Sequence, residues 1–215
     1  MNPEFWHDKW ERNEIGFHLK QIHPLVIKYL STEKLKDVSK VFVPLCGKTM
    51  DIGYLLEQGK QVVANELSEA AVKQLFADLS LTPNVTLWQG GQCYQAENLT
   101  VWVGDYFELT HSEVSDIDLI YDRAALIALP EEMRKSYVQH MLTLAPKAKQ
   151  LLLTLTYNQA EMAGPPFSVS EAEVKIHYAD TKKIQCLSQK DVIDYEPKFA
   201  ERGLKSLVES AYWLD

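Results

Sequence analysis

From residue 41 onward, short continuous apolar runs alternate with amphipathic stretches, and that alternation confines the chain to one fold class. VFVPL (41–45), QVVANEL (61–67), LTVWVGD (99–105), IDLIYDR (117–123) and QLLLTLTY (150–157) are each of strand length. A run that is apolar at successive positions reads as a strand buried on both faces. Between the runs, apolar residues recur at helical spacing. Ile52, Leu55 and Leu56 precede a stop at Gly59, and Val72, Leu75, Phe76 and Leu79 follow Ser68, a good N-cap. Pro130-Glu131-Glu132 opens a further helix, with proline in the first turn and acids at the positive end of the dipole. Strands alternating with helices predict an α/β fold, a doubly wound and mostly parallel sheet with helices on both faces. IQCLSQKDV and SLVESAYWLD, parted by one short helical stretch, lack a long crossover and predict an antiparallel edge. The region around Gly90-Gly91 reads as hairpin-like.

The residues before this pattern read as a helical prelude. Trp6 and Trp10 lie four apart on one helical face, and Leu25, Tyr29 and Leu30 supply a second stripe. No repeat or linker divides the 215 residues, so one domain is expected, with 1–38 as a helical cover and 39–215 as the core. The net charge of −8 without any basic run argues against nucleic acid and against an anionic membrane. No apolar run is long enough to span a bilayer, and a cytoplasmic location is expected. Cys46, Cys93 and Cys186 are widely spaced and lack a C-x-x-C pairing, which fits reduced thiols. His7, His18 and His23 show no ligand spacing, and no metal is assigned. A monomer is expected, since no spare amphipathic surface stands out.

The turn after the first strand contains Gly47-Lys48-Thr49, the ending of a phosphate-binding loop. Such a loop needs a glycine five residues before Gly47, and that position is Phe42, inside the strand. A triphosphate loop therefore has no room, although Asp122 at the end of IDLIYD resembles a magnesium-binding acid. The dinucleotide pattern of three glycines also fails, because Leu45 to Met50 holds one glycine and would crowd a pyrophosphate. What remains is Glu66 at the end of the second strand, nineteen residues beyond Gly47. That spacing suits a carboxylate accepting ribose hydroxyls. A nucleoside without phosphates fits the turn, and S-adenosylmethionine is such a molecule.

PLCGKTMDIGYLLEQGKQVVANELS (44–68) resembles the signature of the thiopurine S-methyltransferase family, within the class I S-adenosylmethionine-dependent methyltransferases. FWHDKWERNEIGFH (5–18) resembles the family's leader, YDRAALIALP (121–130) its fourth-strand motif, and GPPFSV (164–169) its loop after the fifth strand. The motifs occur in order along nearly the whole chain. Tyr54 stands where the family often has Trp, and Asn65 replaces an apolar residue before the acid. The resemblance implies a Rossmann-like, seven-stranded sheet and a bacterial S-methyltransferase. It implies that Glu66 binds the ribose, Leu45 and Gly47 lie beside the methionine moiety, Asp105 and Tyr106 flank the adenine, and Trp10 covers the cofactor. Arg123 would line the site as a cofactor-binding residue and also stabilise the nucleophile, while Phe17, Pro165 and Pro166 would face the acceptor.

The reaction implied is in-line displacement on a sulfonium, in which the protein aligns the acceptor and excludes water. Arg123, permanently charged and suited to planar partners, would favour a thiolate. The acceptor implied is a small aromatic or heterocyclic thiol, thiopurine-like, with selenium or tellurium compounds as further candidates; the product is S-adenosylhomocysteine. Three other readings stand beside this one: a non-catalytic sensor of S-adenosylmethionine on the same fold, a nucleotide-dependent kinase, and an NAD-linked oxidoreductase.

Overall fold

A computed structural model describes residues 3–12, 14–16 and 18–215. The chain forms two compact units, one of residues 1–120 with 143–147, the other of residues 121–142 with 148–215.

The first unit opens with helices α1 (Pro3–Glu11) and α2 (Pro24–Tyr29). The chain then alternates through β1 (Lys40–Val43), α3 (Asp51–Glu57), β2 (Gln61–Glu66) and α4 (Glu69–Asp78). Strands β3 (Asn84–Trp88), β4 (Gly91–Ala96) and β5 (Leu99–Gly104) follow, and β6 (Leu119–Asp122) begins in this unit. The strand order is β3-β4-β5-β2-β1-β6. β5, β2, β1 and the start of β6 run parallel, with Val43 opposite Ala64 and Glu66 opposite Val103. In β1, β2 and β6 successive apolar positions are buried as the sequence predicts, with Val41, Phe42, Val62, Ala64 and Leu119 at most 1% exposed; along β5 burial alternates instead, Leu99 and Val101 enclosed and Trp102 half-buried. Each such Val, Leu or Phe contributes about 1.5–3 kcal/mol relative to exposure. α3 turns Ile52 and Leu55 inward, and α4 turns in Ala71, Val72, Leu75 and Phe76 behind its Ser68 cap.

Two expectations change here. Nine strands are present among the described residues, and the two beyond the expected seven are the β3–β4 hairpin, joined antiparallel to β5. The second stripe of the prelude also changes in part. Leu30 is buried at 0% exposure as expected, but its partner is Val26, also at 0%, whereas Leu25 and Tyr29 are half-buried. Both pairs have helical i, i+4 spacing, so periodicity alone did not choose between them.

The prelude is fastened along α3. The His23 N–H donates to Asp51 Oδ1 at 2.8 Å, and the Tyr54 hydroxyl donates to the Leu30 carbonyl at 3.1 Å. His23 Nδ1 in turn accepts the Leu25 N–H and caps α2, a local structural role. Tyr54, at its departure from the family pattern, is thus an anchor for the end of α2.

The second unit contains α5 (Glu131–Leu144, all but its last turn), β7 (Lys149–Thr156), α6 (Glu171–Tyr178), β8 (Ile184–Asp191), α7 (Pro197–Ala200) and β9 (Val208–Leu214). β9 lies between β7 and β8 and is antiparallel to both, the expected antiparallel edge. Helix α6 was not foreseen. Its start carries a readable signal, Ser170-x-x-Glu173, and the Ser170 hydroxyl accepts the Glu173 N–H at 3.2 Å. Among the described residues, no helix is long and apolar enough to cross a membrane.

Candidate functional site

In the first unit, the expected cofactor residues follow the carboxyl ends of adjacent parallel strands. Leu45 and Gly47 follow β1, Glu66 ends β2, and Asp105 and Tyr106 follow β5. On sheets of this kind ligands lie beyond those ends. The turn after β1 is held in an unusual backbone shape, with Leu45 at φ 45° and Gly47 at φ 54°. Leu45 carries the strain of that region in a side-chain-bearing residue, while Gly47 adopts it freely.

Glu66 organises this turn. Its Oε2 accepts the Gly47 N–H at 2.7 Å and its Oε1 accepts the Ser68 N–H at 2.8 Å. The side chain is 6% exposed, and burial pushes its carboxyl above the usual range against the pull of the surrounding amides. An ionised carboxylate offers about four acceptor sites, so two bonds leave capacity for a pair of hydroxyls. The backbone adds a further tie, Cys46 N–H to Asn65 carbonyl at 2.9 Å. Burial, with the Glu66 charge nearby, raises the Cys46 thiol well above its normal range, so it is no ready nucleophile.

Trp10 is 5% exposed and lies directly against the turn. A Cβ built on Gly47 would stand 3.0 Å from the Trp10 ring. The glycine therefore serves two needs, a positive φ and a ring packed on its backbone. α1 reaches this place by packing on α4. Trp10, Gly47 and Glu66 form one contiguous group.

Asp105 is exposed and caps a short 3-10 turn, accepting the Phe107 N–H at 3.0 Å, while Tyr106 is buried at 3% exposure. Asn65 was noted from sequence only as a departure. It is 0% exposed, and its Nδ2 donates to the Trp102 and Gly104 carbonyls at 3.0 and 3.1 Å, tying β2 to the end of β5 just before Asp105. An apolar side chain could not make that tie, and only the break in a hydrophobic run hinted at it.

Arg123, Pro165 and Pro166 belong to the second unit. Arg123 follows β6 and is half-buried. Its neighbour Asp122 is 0% exposed and already engaged: Oδ1 accepts the Leu126 N–H at 3.2 Å, and Oδ2 accepts from the Tyr137 hydroxyl at 2.9 Å and from Gln150 Nε2 at 3.4 Å. That is the setting of a buried structural acid. Pro165 and Pro166 are half-buried, and the Pro166 carbonyl accepts from the Tyr157 hydroxyl at 2.6 Å. Phe17 lies outside the described residues.

Burial outweighs those donors and pushes the Asp122 carboxyl up to about 6. The folded state therefore holds this proton more tightly than the unfolded chain, whose carboxyl titrates near ~3.9. Asp122 contributes stability that is complete below about pH 4 and is lost as pH rises through about 6, a loss on the order of 3 kcal/mol. Denaturant titrations across this window should show stability falling with pH, and Asp122→Asn should flatten the curve. Parallel curves for the two proteins would contradict the assignment.

Comparison with known proteins bears on this geometry. The sequence matches the family described as thiopurine S-methyltransferase over residues 1–215. It is 45% identical to a thiopurine S-methyltransferase of Shewanella woodyi, covering 100% of this chain and 98% of that protein. It is 43% identical to one of Pseudomonas paraeruginosa, covering 100% and 99%. Among solved structures, a Burkholderia thailandensis 1,6-didemethyltoxoflavin-N1-methyltransferase with bound S-adenosylhomocysteine is similar, with a TM-score of 0.63 at 15% identity, over 99% of this chain and 87% of that one. An N-methyltransferase of Bradyrhizobium japonicum in complex with S-adenosylhomocysteine has a TM-score of 0.63 at 12% identity, with 97% of each chain covered. Those structures share the fold.

Proposed function

We propose, from the premise that this chain belongs to the thiopurine S-methyltransferase family, that its acceptor is a small, flat aromatic or heterocyclic thiol. Membership makes it an S-adenosylmethionine-dependent methyltransferase. The thiol, and any selenium or tellurium analogue of it, is the inference. The observation that carries the site is the grouping of Trp10, Gly47 and Glu66: a carboxylate fixed by the turn it faces, and a glycine whose side-chain space is taken by an indole.

These residues fit the cofactor. S-adenosylmethionine, when bound, supplies a methyl group already activated on a sulfonium. Glu66 would accept the ribose hydroxyls with its remaining lone pairs, and backbone groups of Leu45 and Gly47 would hold the methionine end. Asp105 and Tyr106 would flank the adenine. Trp10 would exclude water and offer a π-face to positive charge. Arg123 would stabilise the acceptor's anionic form, so that no strong base is required. Pro165 and Pro166, with Phe17, would face the acceptor. We further read the chain as one catalytic domain with residues 1–38 as its cover, monomeric and cytoplasmic, without nucleic-acid or membrane partners.

Calorimetry with S-adenosylhomocysteine, followed by methyl-transfer assays on a panel of aromatic thiols, tests this reading. Saturable binding at one site per chain with turnover of at least one thiol is expected. Absence of binding by folded protein would withdraw the cofactor residues, and binding without turnover would withdraw the thiol. Arg123→Ala should lower kcat by about 10²-fold or more while cofactor affinity changes little, as for a group acting mainly in the transition state. Equal losses in both, or loss in neither, would remove its role in stabilising the acceptor.

A further inference from the structure

Residues 157–169 of the second unit form a lobe that closes on itself. The Tyr157 hydroxyl donates to the Pro166 carbonyl at 2.6 Å and accepts from Gln159 Nε2 at 3.0 Å. The same Gln159 nitrogen donates to the Met162 carbonyl at 2.6 Å, while Gln159 Oε1 accepts the Ser168 N–H at 2.9 Å. One side-chain amide thus spends both its ends within the lobe, joining its beginning to its end. Ser168 closes the circuit, its hydroxyl accepting the Tyr157 N–H at 3.0 Å and donating to the Tyr157 carbonyl at 2.8 Å.

Below this polar layer the lobe has its own apolar base. Tyr157 and Met162 are buried in a cluster with Phe199, Leu204 and Leu207. On its other side, the Phe167 N–H donates to the Ile127 carbonyl at 2.7 Å, in the segment that follows Arg123. A loop tied from end to end by side-chain bonds and seated on a packed base is preorganised.

We propose that Gln159 is a positioning residue for the acceptor, holding Pro165-Pro166 as a fixed wall at a set distance from the Arg123 segment. The inference rests on reading Pro165 and Pro166 as acceptor-facing. A fixed wall selects acceptors by width, so flat rings enter and thicker ones are refused. Gln159 acts through Tyr157, Pro166 and Ser168, and touches no reacting atom. Without its amide, the Met162 carbonyl and the Ser168 N–H lose their shared partner and the wall loosens.

Gln159→Ala tests this, with Tyr157→Phe as a milder variant that keeps the ring in the cluster and drops the bond to Pro166. Amide hydrogen exchange over residues 160–168 should accelerate by about tenfold, the weight of one or two lost bonds. The ratio of kcat/KM between a flat aromatic thiol and one carrying an out-of-plane tert-butyl group should shift by about tenfold, because small misplacements of an acceptor are costly. S-adenosylhomocysteine affinity should hold within about twofold, since the Gln159 amide bonds Tyr157, Met162 and Ser168, none of them read as a cofactor residue. The ratio is decisive, since a smaller folded fraction lowers both thiols equally and leaves it unmoved. Unchanged exchange, or faster exchange with an unchanged ratio, overturns the proposal. A wild type that binds S-adenosylhomocysteine yet methylates neither thiol overturns the acceptor reading itself, and the proposal with it.

Discussion

Replacing Glu66 with alanine is expected to weaken S-adenosylhomocysteine binding by about a hundredfold or more, near 3 kcal/mol. Two losses combine. The ribose loses its acceptor, and the turn after β1 loses the group that fixes it, because Gly47 and Ser68 both donate to this carboxylate. Those amides are then stranded in a buried place. Glu66→Gln separates the two effects. It keeps the volume and one acceptor oxygen, but it turns an NH2 group towards one of the backbone donors. An intermediate loss is expected, with the melting temperature less affected than in the alanine variant. Calorimetry on both variants checks this, and affinity equal to wild type would mean that the ribose is held elsewhere.

Glu173→Ala should destabilise the second unit by about 3–5 kcal/mol, the range for removing one partner of a buried ion pair. Arg134 is 4% exposed, and two of its nitrogens, Nε and an Nη, donate to the two oxygens of Glu173. Its remaining bond reaches the Leu129 carbonyl at 3.0 Å. Alanine at 173 would leave a guanidinium enclosed with that single acceptor. It would also remove the acceptor of His177 Nε2, 3.2 Å from Glu173 on the next turn. On the same helix, Lys175 and Glu171 form an exposed pair, and Lys175→Ala should change stability very little. Urea titrations of the two variants make the comparison. Similar midpoints for both would show that α6 is held by packing alone.

The parallel strands were legible because burial on both faces leaves a plain mark: VFVPL, the VVA of QVVANEL and the LIY of LIYD are apolar without interruption. Helix α6 left a weaker one. Its buried face is only Val174 and Tyr178, one i, i+4 pair, so the Ser170 cap says more than the periodicity does. The same limit explains the prelude, where Leu25 and Tyr29 repeat as regularly as Val26 and Leu30. At the site, the spacing of Gly47 and Glu66 could be read from the chain, but the direct bond between them could not. Spacing places two residues at neighbouring strand ends and is silent about which atoms meet. Polar residues that serve the backbone are hidden for a related reason. Asn65 finds its partners in Trp102 and Gly104 on the neighbouring strand, and nothing in the residues adjacent to it records them. Gly47 was legible as part of the turn after β1, but the indole against it comes from α1.

The placement of β9 between β7 and β8 also bears on how the protein is made. β9 comes later in the chain than both strands it joins, with Leu151 and Gln185 both opposite Trp213. During synthesis β7 and β8 leave the ribosome with facing edges that no earlier segment can fill. Until residues 208–214 emerge, those edges present unpaired N–H and C=O groups. The nascent chain is therefore most exposed to misassociation between the emergence of β8 and that of β9.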